Sequence, residues 1–378
     1  MSHDCHHSVV ISVLRGLAAV QVVAAHLRAQ FYPGLKTLHE PSLWYQAFAF
    51  ATGFAHQAVV VFFLLSGWLV GGALLNKYHE KNALLFYGID RVTRLWIVLI
   101  PSFALSLVLA SLAGDVGISR PDFSLSNEFS ATAFVGNLFG LQDMWVPRYA
   151  GNFALWSLSN ETWYYVLLPL IILPFSAKSG AAKVLWTLAF LTLMSTLTFS
   201  IALFFIIWLL GVGASRLQVN MSSATRSVLV IILLGLSVYF RITGNNDKLE
   251  PVSFFQDLAL SVLFLTLLCS LQFKPEAPGP LFKLLKKWGA WLAAFSFTLY
   301  VIHVPLIFAA RDLLSRSPGT KLSPNAPFDF ILYLGLLAAI TGFAYLFHLP
   351  FEAQTVRVRN WIKDRVLHPG HLASGRLN

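Results

Sequence analysis

The chain has 378 residues, 57% of them hydrophobic and only 12% charged, with a formal net charge of +10. Ordinary soluble domains carry about 25% charged residues, so this composition excludes a soluble globular protein and fits one polytopic membrane domain. The basic residues are spread through short loops with no aromatic-basic surface motif, which argues against a nucleic-acid partner. The two cysteines, Cys5 and Cys269, offer neither a disulfide framework nor metal-ligand spacing, and no metal is expected.

Apolar runs of bilayer-crossing length fall at about 8–29, 54–75, 88–113, 154–175, 182–198, 200–217, 225–241, 254–272, 289–314 and 328–349, which predicts ten transmembrane helices. The first seven residues include three histidines and an aspartate but no basic n-region. The first apolar run is therefore expected to persist as a membrane helix. Within it, Arg15 and His26 stand eleven residues apart. At 100° per residue His26 returns to within about 20° of Arg15, roughly 16 Å further along. Ionisable side chains at such positions are costly and usually face a bundle interior or a wet cavity. A lone histidine there can be a plain inter-helix hydrogen bond, but it is also the side chain best suited to move a proton near neutral pH.

In the second run, Ser66-Gly67 suggests close helix packing, with a weaker case for a place beside a ligand. Arg91 and Arg94 open the third run. Two arginines there satisfy the positive-inside rule, yet positions i and i+3 share a face and form a fork suited to phosphate oxygens. The longest loop, about 114–153, contains Ala131–Leu141, an apolar stretch fit for a short interfacial helix. The fourth run opens with Trp156-Ser157-Leu158-Ser159-Asn160-Glu161, and Glu161 is expected at the depth of His26. A buried carboxylate needs a partner, either that imidazole or an arginine pinning two helices. In the ninth run His303 lies near mid-depth, three residues after Tyr300. Glu352, just past the tenth run, is expected to anchor a helix end.

With the N-terminus inside, seventeen lysines and arginines fall on inner regions and nine on outer ones. That bias orients both termini to the cytoplasm. Residues 1–350 read as one membrane domain and 351–378 as a basic cytoplasmic tail on the anionic inner leaflet.

Arg15 with His26, Phe62-Phe63-x-x-Ser66-Gly67-Trp68-Leu69, Arg91-x-x-Arg94, Trp156-Ser157-Leu158-Ser159-x-Glu161 and Tyr300-x-x-His303 occur in that order. Together they resemble the acyltransferase family 3 membrane proteins, which include bacterial O-antigen and exopolysaccharide O-acetylases. The resemblance implies transfer of an acyl group, commonly acetyl from acetyl-CoA, to a hydroxyl of a carbohydrate or lipid-linked glycan in the bacterial inner membrane. It implies that Arg15 and His26 are essential and that Arg91 and Arg94 serve the cofactor. His26 is the expected general base with Glu161 as its orienting partner. Ser66, Trp156, Tyr300 and His303 are candidate substrate contacts. A transporter could use the same buried Arg, His and Glu. It would be expected to show an internal repeat or paired broken helices, and neither is visible.

Overall fold

The computed structural model describes residues 5–116, 122–243, 251–273, 278–314 and 321–367. Loop residues Arg120, Lys248, Lys274 and Arg316, counted in the charge bias, lie outside these, as does the tail beyond 367 with Arg376. In hydrocarbon every backbone N–H and C=O must find its partner within the chain, which favours helix for each apolar run. The elements are α1 (His6–Phe31), α2 (Leu43–Ala51), α3 (Ala55–Ser66), α4 (Gly72–Lys77), α5 (Ala83–Ala113), α6 (Ala131–Leu138), α7 (Trp156–Ser176) and α8 (Gly180–Thr196). They continue with α9 (Phe199–Ala214), α10 (Ser223–Thr243), α11 (Pro251–Ser270), α12 (Pro280–Ala294), α13 (Ser296–Leu314), α14 (Pro327–His348) and α15 (Thr355–Leu367).

The protein is an all-α membrane protein, and each of the ten predicted runs falls on helix. Seven spans, starting at His6, Leu43, Ala83, Ser223, Ser253, Ser296 and Pro327, are long and apolar enough to cross a membrane. α8 and α9 are shorter apolar helices, divided at Leu197-Thr198 where the sequence predicts the break. α7 has 21 residues but is diluted by Glu161, Pro169 and Pro174. α6 occupies most of the predicted interfacial stretch, with Ser130 accepting from the Ala133 N–H at its start.

One boundary differs. The run 289–314 is not one helix: it breaks at Phe295 between α12 and α13. α12 begins at Pro280, and its lysines Lys283, Lys286 and Lys287 are exposed while Gly289 is buried. It is an amphipathic helix lying along the start of α1, so hydropathy alone placed its end in the wrong element.

Close contacts set the register. A Cβ on Gly16 would lie 2.3 Å from Leu292 Cβ, and one on Gly289 would lie 2.5 Å from Val13 Cγ2. Leu292 therefore meets Gly16, and His303, eleven residues after Leu292, meets His26, ten after Gly16. α1 and α13 run parallel, as expected for the first and ninth of the ten runs read from the sequence. On the other side of the bundle, α3 passes into a π-helical turn over Gly67–Gly71. There Gly67 and Gly211 let α3 and α9 touch backbone to backbone: added Cβ atoms would fall 2.0 Å from the Trp208 carbonyl oxygen and 2.2 Å from that of Leu64. α15 folds back onto α5, where Asp90 pairs with Lys363 at 2.6 Å.

Candidate active site

Arg15 on α1 and Arg91 and Arg94 on α5 line one cavity of about 370 Å³, together with Ser66, Glu161, Tyr165, Tyr300 and Glu352. The three guanidiniums differ in what holds them. Arg94 Nη2 pairs with Glu352 Oε1 at 2.8 Å, and its guanidinium rests 5.1 Å from the Phe297 ring centroid. The second oxygen of Glu352 accepts from the Thr298 N–H at 2.9 Å and the Thr298 hydroxyl at 2.6 Å. Glu352 thus anchors the first turn of α13 as well as the arginine, a favourable place for a carboxylate. Arg91 lies over Tyr87 and Tyr165, at 5.9 and 5.4 Å. Arg15 makes no hydrogen bond or ion pair among the described residues. Arg91 too has no hydrogen bond or ion pair among the described residues, only its two ring contacts.

Glu161 does not meet His26, contrary to the sequence expectation. Its Oε1 accepts from Ser66 Oγ at 2.6 Å and from the Tyr165 hydroxyl, while Trp208 Nε1 donates to Ser66 Oγ at 3.2 Å. The cause is depth. The residue beside His26 from this part of the chain is Phe153, edge-on at 4.8 Å, eight positions before Glu161 and about two helical turns away. Trp156 is also displaced from its expected role. It packs against Phe63 and Phe204, both at 6.1 Å, and is not among the residues lining the cavity.

His26 pairs with His303. Their Nδ1 and Nε2 atoms are 2.8 Å apart. The rings are tilted by only 18° with centroids 5.1 Å apart, the separation of two imidazoles joined edge to edge. The far nitrogen of His303, Nδ1, lies 2.7 Å from the Tyr300 carbonyl oxygen. A carbonyl only accepts, so this nitrogen carries the hydrogen. The neutral ring then accepts at Nε2, and His26 must donate through Nδ1. That leaves the lone pair on His26 Nε2 free, with no hydrogen bond to any described residue. Tyr300 connects the pair to the cavity: it lines the cavity, its ring centroid lies 5.8 Å from that of His303, and its hydroxyl is 2.6 Å from Ser157 Oγ.

Another half-buried histidine, on which the sequence reading is silent, sits elsewhere. His56 Nε2 on α3 meets Asp257 Oδ2 on α11 at 2.7 Å. Asp257 is the single acid of its apolar run, and the need of a buried carboxylate for a partner is the signal by which the sequence would have given it away.

A helical membrane protein with a buried cationic cavity and a histidine pair beside it is the class that fold and site define. The acyltransferase domain of family 3 matches residues 9–349, nearly the whole chain. The chain belongs to that family and is a membrane acyltransferase. No curated protein and no solved structure matches it.

Proposed function

We propose that this acyltransferase moves an acyl group, acetyl being the simplest, from a cytoplasmic acyl-CoA to a hydroxyl of a carbohydrate or glycoconjugate, in a bacterial inner membrane with both termini inside. The observation that carries the reading is the free Nε2 of His26, held by a partner that fixes its tautomer. Three guanidiniums in one cavity support an anionic, phosphate-bearing donor.

The donor phosphates bind toward Arg91 and Arg94, and the pantetheine arm brings the thioester toward Tyr300 and the histidine pair. The acceptor hydroxyl gives its proton to His26 Nε2 as its oxygen attacks the thioester carbon. The new C–O bond forms, the C–S bond breaks, and the departing thiolate takes the proton back from the imidazolium. His303 keeps Nδ1–H of His26 engaged throughout, the orienting role that a carboxylate fills in hydrolase triads. Arg15, with no hydrogen-bond or ion-pair partner among the described residues and about three helical turns below His26, holds donor phosphate beside Arg91 and Arg94.

The test is coenzyme A release from acetyl-CoA and longer acyl-CoAs by the purified protein in nanodiscs with a glycan acceptor. General-base loss costs about 10²–10⁴-fold, so His26→Ala should lose about that much while inserting normally. Activity within a few-fold of wild type would remove His26 from the mechanism.

A further inference from the structure

α12 presents three faces. Gly289 packs on Val13 of α1, while Leu281, Leu284, Trp288 and Trp291 are exposed toward the surrounding lipid. The third face carries Lys283, Lys286 and Lys287, all exposed, and ends at Ala293 and Ala294, which line the arginine cavity. Lys287 stands seven residues before Ala294 and Lys283 eleven before it. At 100° and 1.5 Å per residue, both fall within about 20° of the line through Ala294, roughly 10 and 16 Å away along the helix. The close approaches of Gly289 to Val13 and of Leu292 to Gly16 keep α12 and α1 in step. Lys287 is therefore level with Ile11 and Lys283 with His7, in the first turns of α1. Lysines that merely kept their ammonium groups at the membrane surface could stand among the leucines and tryptophans. These stand on the face that leads to the cavity of Arg15, Arg91 and Arg94.

We propose that Lys283 and Lys287 bind the phosphate monoester on the ribose of the acyl-CoA, its 3′-phosphate, while the arginines hold its diphosphate. This rests on the acyl-CoA reading above and adds which end of the donor each cation reads. Acyl-CoA is a linear molecule: thioester, pantetheine arm, diphosphate, then the nucleoside with its separate phosphate. The protein offers groups to match in the same order, going inward from the histidine pair through Tyr300 and the three arginines to the lysine row. A phosphate monoester carries about −1.5 to −2 charges at neutral pH. An ammonium binds it as a compact point charge, without the bidentate geometry of a guanidinium. No bond to this phosphate changes in the reaction, so the lysines act on donor affinity and not on the transfer step. A lipid headgroup offers the same phosphate chemistry, and the test separates the two.

Lys283→Gln/Lys287→Gln alters exposed side chains alone. The experiment measures calorimetric Kd for acetyl-CoA and for acetyl-dephospho-CoA, which lacks the 3′-phosphate, in phosphatidylcholine nanodiscs. Low salt is used because exposed charges are screened. The double variant should bind acetyl-CoA about fivefold or more weakly than wild type, and acetyl-dephospho-CoA within about twofold of it. Wild type should prefer acetyl-CoA over acetyl-dephospho-CoA to a similar extent, and Lys283→Arg/Lys287→Arg should keep that preference. Equal affinity of wild type for the two donors, an equal loss for both in the glutamine variant, or no loss for either overturns the assignment while the acyl-CoA reading stands. If the glutamine variant instead loses a rise in melting temperature that added phosphatidylglycerol gives wild type, with donor affinity unchanged, the lysines bind lipid headgroups. If wild type binds neither donor, the donor reading fails and this one fails with it.

Discussion

Two histidine contacts between helices, both half-buried, differ in the partner. His56 meets the carboxylate of Asp257, so a proton on the imidazole has its counter-charge 2.7 Å away. Such a contact pins α3 to α11 and uses up the ring nitrogen that makes it. His26 meets a second imidazole, His303, which supplies a hydrogen-bond acceptor but no charge. That partner holds the ring in place and leaves the opposite nitrogen with its lone pair. The same residue type serves as a fastener in one place and as a base in the other, and the neighbour decides which.

Removing the base should break the comparison most sharply. His26→Ala is expected to lower turnover by about 10²–10⁴-fold, whereas His56→Ala should change the melting temperature and leave turnover per folded molecule within a few-fold of wild type. Comparable rate losses in the two would erase the distinction. His303→Gln comes next, because it disturbs the orientation of His26 and not the base itself. A loss of about ten- to a hundredfold, typical of removing an outer partner of a functional histidine, should appear in kcat with little change in KM for acyl-CoA. An equal rise in KM would make His303 a binding residue instead. Asp257→Ala should cost about 1–3 kcal/mol of stability by orphaning His56, read as a lower midpoint in a thermal or denaturant titration with the activity of the surviving fraction intact.

The smallest effect lies in the outer loop. Burial, with Asp115 nearby, raises the Glu128 carboxyl above its ordinary value. A carboxyl raised on folding favours the folded state when protonated and opposes it when ionised, so its penalty grows as pH climbs through the ordinary glutamate range and beyond. Glu128→Gln should therefore raise the melting temperature at pH 7, by less than about 1 kcal/mol in stability for so solvated a group, and have no effect near pH 4. An equal gain at both pH values would assign it to packing.

Much of this was legible in the sequence because bilayer length and apolar runs constrain helices strongly. The helix break at Leu197-Thr198, the interfacial helix after Ser130 and the placement of Arg15, Arg91 and Arg94 toward one interior all follow from one-dimensional patterns. The pairings did not. Glu161 was expected at the depth of His26, but the turns of chain before α7 shift it about two helical turns away and deliver Phe153 in its place. Glu352 was expected at a helix end and is there, yet its grip on Arg94 depends on α13 and α5 meeting in space. Trp156 belongs to the same motif as Glu161 but faces an aromatic cluster. Helical period assigns a side chain to a face, and only tertiary packing says what that face meets.

The contact between Gly67 and Gly211 carries a consequence for how such an enzyme can be re-engineered. Where α3 and α9 meet, the barrier is main chain against main chain, and substitution cannot carve a new shape out of a surface that has no side chains to exchange. Even alanine at either position forces the two helices apart and moves Ser66 with them. The cavity wall carried by α5 and α13, at Leu95 and Phe297, is built from replaceable side chains. Selection for new substrates in the laboratory should therefore gather its changes on such side chains and leave the α3–α9 seam untouched.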